Sequence, residues 1–225
     1  MRIILLNGPP SSGKDTAARA LASYLLHTQT EYSVLRMSHP TKRAFAGVVN
    51  ARIDEWGNVE SWEDQKDMPS ELLGGKSYRQ WQIEFSEKFM KPLYGEDIFG
   101  RLFAHSLEQL PEDWNGYILV PDCGFEIEAE TLASLLPAAH KLIVRCHRPG
   151  YDFKNDCRSY LYPASIPLQL DLYNGSDLKA WEGTVLQCVS SSVWNGYPQR
   201  EEPRQGDASG HGQYPNETSN GTRRR

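Results

Sequence analysis

The segment Gly8-Pro-Pro-Ser-Ser-Gly13-Lys14-Asp15-Thr16 constrains this chain more than any other stretch. It follows the apolar run Ile3-Ile4-Leu5-Leu6 and precedes a helical pattern from Lys14 to Leu26, with Ala18, Leu21, Ala22 and Leu25 on one stripe. A strand, a glycine loop, a lysine and a helix in that order form a phosphate cradle. Gly8 and Gly13 let the backbone approach a polyphosphate with its N–H groups turned inward, and Ser11 and Ser12 lie in the same loop. Lys14 reaches the outer phosphates as a point charge, while the new helix offers unpaired N–H groups and the positive end of its dipole. One letter departs from the usual string: Asp15 follows the lysine, and Thr16 stands one place later. Asp15 either helps to organise metal or water, or caps the new helix; the residues leave both open.

A chain of 225 residues can bury one substantial core and carry an inserted lobe. Its formal net charge of -5 supplies no global basic field for nucleic acid. Cys123, Cys146, Cys157 and Cys188 are scattered, with no CxxC or Cys/His cluster, which favours free thiols over a structural zinc site. The first residues run straight into a strand and no apolar run approaches the length of a membrane span, so a soluble cytoplasmic enzyme is expected.

Along the chain, strands are expected at 3–6, 32–37, 117–120, 141–144 and 167–172, and helices at 14–26, 41–49, 78–90, from Asp97 as N-cap, at 126–136 and at 177–189 with Ser176 as N-cap. Ser38-His39-Pro40 breaks the second strand. The stretch 50–76 is polar and acidic, with helical content expected around 62–67. This alternation predicts a mostly parallel sheet covered on both faces. From Ser190 onward apolar residues almost vanish, and the chain ends Arg223-Arg-Arg225; residues 191–225 read as a disordered tail, a solubilising end being favoured over a phosphate contact.

Ligands on such a sheet bind at the carboxyl ends of the strands. Asp122 directly follows the apolar strand 117–120, where a carboxylate can serve magnesium or its water shell. Phosphoryl transfer needs positive charge around the moving oxygens, and Arg79, Arg101, Arg145, Arg148 and Arg158 stand at helix starts, glycine breaks or near strand ends, with Lys42 and Arg43 after the second strand. Tyr78, Trp81 and Phe85 either stack on an acceptor base or build core, the latter being commoner at helical spacing.

Taken together, Leu6-Asn-Gly8 through Ser12-Gly13-Lys14-Asp15-Thr16, Pro40-Thr-Lys42, Tyr117-Ile-Leu-Val-Pro-Asp122 and Arg148-Pro-Gly150 resemble the bacteriophage deoxynucleoside monophosphate kinases, relatives of the adenylate-kinase-type nucleotide kinases. Asp156-Cys-Arg158 and Asn174-Gly-Ser176-Asp-Leu178 add a weaker match, so that the resemblance is patchy over roughly residues 1–190. It implies a P-loop NTPase three-layer α/β/α fold with a mostly parallel five-stranded sheet. Residues 38–98 would form an acceptor-binding helical region and 148–162 a lid-like segment. ATP with Mg2+ would sit on the glycine loop, and a deoxynucleoside 5′-monophosphate in a separate pocket. Carried over residue by residue, Lys14 and Thr16 hold ATP phosphates, Arg79 and Arg101 orient the acceptor phosphate, and Arg148 and Arg158 serve the lid side. Lys42, Arg43, Trp81 and Asp122 fall on the acceptor side, and Asp15, Thr16 and Asp122 near the metal, directly or through water. The Gly-Lys-Asp-Thr form of the loop is part of the resemblance. Gly124 is a departure: the family often carries an arginine there, so that a phosphate contact is either missing or supplied by Arg145. The encoding source would be a phage acting in its host's cytoplasm.

The expected partners are therefore small molecules, ATP and a dNMP, with no stable nucleic-acid or membrane partner and homodimer formation left open. Another small-metabolite acceptor, or a nucleotide-binding switch without turnover, are the alternatives.

Overall fold

A computed structural model describes residues 1–154, 156–175 and 177–189. Five strands, β1 (Arg2–Asn7), β2 (Tyr32–Val34), β3 (Tyr117–Val120), β4 (His140–His147) and β5 (Gln169–Tyr173), form one sheet in the order β2-β3-β1-β4-β5. Every pairing is parallel, with Ile3 opposite Ile118 on one side and Lys141 on the other. A parallel sheet requires crossovers, and the helices that supply them cover both faces. Ile4 and Leu6 of β1 pack with Ala18, Leu21 and Leu25 of α1 (Lys14–His27) and with Trp181 and Val185 of α7 (Leu178–Val189). Ile3 and Leu5 point the other way, onto Phe103 and Leu107 of α5 (Ile98–Leu107) and Ala129 and Leu132 of α6 (Glu126–Leu135). The result is the expected three-layer α/β/α P-loop fold. No helix among the described residues is long and apolar enough to cross a membrane.

A smaller aromatic core is built by the chain segment that connects β2 to β3. Phe45 of α2 (His39–Val49) meets Tyr78 of α3 (Tyr78–Glu84) at 4.3 Å between ring centroids, and Trp62 and Trp81 each at 4.9 Å. Tyr78 is fully buried, so it is core and not a stacking platform.

Several boundaries differ from the sequence pattern for local reasons. β2 stops at Val34 because the chain then turns toward Asp122, which accepts the Met37 N–H at 2.8 Å. Pro40 does not break α2; it sits in the first turn, where its missing N–H is not needed. The region 62–67 forms turns, and the helical content of the 50–76 stretch is one 3-10 turn, Glu71–Leu73. The helix beginning at Tyr78 widens into a π-helix over Phe85–Met90, just before Pro92, and continues as α4 (Lys91–Tyr94). Asp97 stands at the N-cap of α5 but makes no capping bond, its carboxylate being taken by Arg101. The tail 191–225 and the Ser176 cap lie outside the described residues.

Candidate active site

The glycine loop bridges β1 and α1 over the carboxyl end of the sheet. Gly8 and Gly13 have φ of 153° and 102°, and Ser11 is itself left-handed at 61°. Space reinforces conformation: a Cβ on Gly13 would stand 2.6 Å from Asn174 Nδ2 and 2.8 Å from Trp181 Nε1. Those two groups hold the loop open by donating to the Ser12 and Gly13 carbonyls, each at 3.1 Å. Beneath it, fully buried Asn7 donates to the Cys123 and Ser159 carbonyls.

A cleft of about 290 Å³ opens above, lined by Ser11, Gly13, Lys14, Asp15, Thr16, Arg148, Asn174, Leu178 and Trp181. The Lys14 ammonium is folded back onto the loop's own carbonyls, Gly8 at 2.7 Å and Pro9 at 2.6 Å. Burial, helped by the positive charge of Arg158, pulls its pKa down to about 8. Among the described residues the buried Ser12 hydroxyl has no hydrogen-bond partner, an uncommon and costly condition that a polyphosphate oxygen would relieve. Arg148 reaches across from the segment after β4 and donates to the Ser11 carbonyl at 2.9 Å.

Asp15 neither caps α1 nor stands free. Gly13 is the N-cap, and the Asp15 carboxylate accepts from Arg36 at 2.7 Å. Burial alone would raise its pKa, but Arg36 outweighs that and holds it below the ordinary value. Among the described residues nothing bonds the Thr16 hydroxyl, which leaves it available to a metal-bound oxygen. Asp122 spends both carboxylate oxygens on the start of α2: Met37 N–H at 2.8 Å, Ser38 N–H at 3.2 Å and Ser38 Oγ at 2.5 Å. It anchors the second lobe to the end of β3. No group of three or more metal-ligating side chains is present among the described residues.

The remaining cations divide. Arg158 is largely buried, donates from Nε and Nη2 to Asp156 at 2.8 and 2.5 Å, and is close enough for its charge to act on Lys14. Arg79 pairs with Asp67 at 2.5 Å and is close enough for its charge to act on Asp156. Lys42 differs from the expectation of an acceptor contact: it is 5% exposed and donates to Asn58 at 2.8 Å and Glu63 at 2.9 Å, which pins the 50–76 stretch to α2. Arg43 donates to His39 on the exposed side of the same helix. Arg101 is engaged with Asp97 at 3.1 Å and the Tyr94 carbonyl, a brace at the base of α5. Trp81 stacks on Phe85 at 5.0 Å and packs against Phe45, so its ring is largely spoken for. Arg145 is not beyond a strand end but within β4, engaged by Asp171, Gln169 and the Leu161 carbonyl.

Three residues of the site escaped the sequence reading. Arg36 lay hidden in the supposed strand 32–37, although a cation at a strand end is a signal. Asn7 and Trp181 had none beyond their types.

No family model matches the chain, and no curated protein matches it. Among solved structures, the APS kinase CysC of Mycobacterium tuberculosis in complex with AMPPNP and APS is similar at 13% identity and a TM-score of 0.45, over 84% of this chain and 97% of that one. A cysteine-to-alanine mutant of the same enzyme is similar at 15% identity and a TM-score of 0.44, over 84% and 96%. At such scores the activity must be argued from this chain's own residues.

Proposed function

We propose that this chain transfers the γ-phosphoryl group of ATP to a phosphate-bearing small molecule, with a deoxynucleoside 5′-monophosphate as the leading acceptor. One observation carries the reading: a glycine loop at the carboxyl edge of a parallel sheet whose buried Ser12 hydroxyl is orphaned and whose Lys14 ammonium rests only on loop carbonyls. Both groups gain a partner when a polyphosphate enters, and Lys14 need only rotate off Gly8 and Pro9.

In this reading the loop N–H groups and Lys14 hold the ATP phosphates, and Thr16 is the residue best disposed toward magnesium. When bound, magnesium neutralises charge on the phosphate oxygens. Arg158, with Arg148 from the lid-like segment, adds charge where the transferring group develops it. An acceptor phosphate is already a competent nucleophile, so the chain's task is to align two anions and exclude water rather than to supply a base. The lobe built on Phe45, Tyr78 and Trp81 would carry the acceptor side, with Arg36 and Arg79 as cations that could serve it. The deoxynucleotide preference rests on the family resemblance.

The test is a coupled ADP-release assay with ATP, magnesium and a panel of dNMPs, NMPs and other phosphorylated metabolites. Acceptor-dependent turnover with at least one dNMP, reduced about 100-fold or more by Lys14→Ala, is the expected result. Turnover with none of the dNMPs sinks the proposed acceptor class, and wild-type turnover in the Lys14 variant sinks the site.

A further inference from the structure

Asn7 draws the end of β3 and the segment before β5 together under the glycine loop. Its Nδ2 donates to the Cys123 carbonyl at 3.0 Å and to the Ser159 carbonyl at 3.1 Å, and its Oδ1 accepts from the Leu161 N–H at 3.2 Å. Gly124 and Arg158 are the chain neighbours of the first two. A Cβ placed on Gly124 would lie 2.8 Å from Arg158 Cγ and closer still to Cδ, inside any real carbon–carbon contact. Gly124 does not have a left-handed backbone, so conformation does not demand glycine here. The path of Arg158 does.

The far end of that path is equally defined. Asp156 grips Nε and Nη2, and the ion pair is largely withdrawn from solvent, with side-chain exposures of 23% and 15%. Among the described residues, Nη1 has no protein partner. An arginine in a fork with one carboxylate keeps donors to spare, and its guanidinium geometry matches phosphoryl oxygens. Arg145 spends four of its five N–H donors on Asp171, Gln169 and the Leu161 carbonyl.

We propose that Gly124 is a positioning residue for phosphoryl transfer: its missing side chain lets the stem of Arg158 cross the end of β3 and set the guanidinium against the outermost phosphoryl oxygens held by Lys14. This rests on the glycine loop binding ATP, but not on the identity of the acceptor.

The experiment compares AMPPNP and ADP affinities, with magnesium, in the wild type, Gly124→Ala, Arg158→Met and the double variant. ADP lacks the outermost phosphoryl group, so it serves as an internal control for folding and for the rest of the site. Gly124→Ala is expected to weaken AMPPNP about tenfold while leaving ADP within about twofold, as is Arg158→Met. In the Arg158→Met background, Gly124→Ala should cost no more than about a further twofold. The proposal is overturned if Gly124→Ala binds AMPPNP as the wild type does, if it loses both nucleotides alike, or if its cost is unchanged without Arg158. A wild type that binds neither nucleotide instead removes the ATP-site reading itself, and the role of Gly124 with it.

Discussion

Arg36 donates to Asp15 Oδ1 at 2.7 Å and, from its Nε, to the Trp56 carbonyl at 2.7 Å, joining the first turn of α1 to the 50–76 stretch through one guanidinium. The Arg36 side chain is 10% exposed and the Asp15 side chain 57%. The acidic letter after Lys14 therefore serves as a tether between the first turn of α1 and the 50–76 stretch.

If Asp15 acts through Arg36, Asp15→Ala should raise the acceptor KM about tenfold, with a smaller loss of AMPPNP affinity, because Asp15 also lines the cleft beside Lys14. A steep loss of magnesium dependence with no change in acceptor KM would contradict this role. Steady-state kinetics over a range of magnesium and acceptor concentrations separates the two.

Nucleotide binding should carry a proton signature. Lys14, with its pKa drawn down to about 8 by burial and then by Arg158, is an ammonium below that pH and loses its charge above it. Phosphate oxygens arriving beside it favour the charged form, so AMPPNP affinity should fall as pH rises through 8 to 9. At pH 8.5, binding should take up roughly three quarters of a proton. Calorimetry in two buffers of different ionisation enthalpy measures this uptake, and Lys14→Met should abolish it.

The Lys42–Glu63 pair should prove structural. Lys42→Ala takes the buried ammonium away from Asn58 and Glu63, while Glu63 keeps Lys66 at 2.8 Å, so the change should cost on the order of 1 kcal/mol and leave the acceptor KM unchanged where the protein is folded. Adding Glu63→Gln should return part of the loss. Chemical denaturation of the single and double variants checks both.

Glu128 predicts an opposite, pH-dependent effect. Burial, with the nearby charge of Asp122, pushes its carboxyl up to about 7 despite the N–H groups of Gly124 and Phe125. The folded-state pKa lies above the unfolded value, so the folded state holds the extra proton between the two. Stability is then fully present in acid and declines as pH rises from about 4.5 to 7, by an amount on the order of 1.4 kcal/mol per unit of difference. Glu128→Gln should flatten that decline in urea titrations between pH 5 and 7.5.

The strands whose residues are buried on both faces, such as 117–120, could be read residue for residue, because an uninterrupted apolar run bounded by turn residues has few other solutions. The glycine loop was legible for the same kind of reason: Gly8, Gly13 and Lys14 are spaced by what a phosphate requires. The side of the cleft away from the loop was not. Lys42 looks like a phosphate ligand in a one-dimensional string, and only the approach of Glu63 shows that its charge is already used, whereas the i, i+4 spacing of Asp97 and Arg101 is itself a local sign of pairing.

By itself the sequence determined that a parallel sheet would carry a phosphate cradle after its first strand, since period, loop glycines and lysine placement are local properties. Tertiary structure decided which cations are already paired around that loop. Whether an arginine is paired or keeps donors to spare can depend on carboxylates far away in the chain, as with Arg145 on Asp171, and on vacancies such as the one Gly124 leaves for Arg158. Charge pairing and excluded volume act through space, and local spacing carries no record of them.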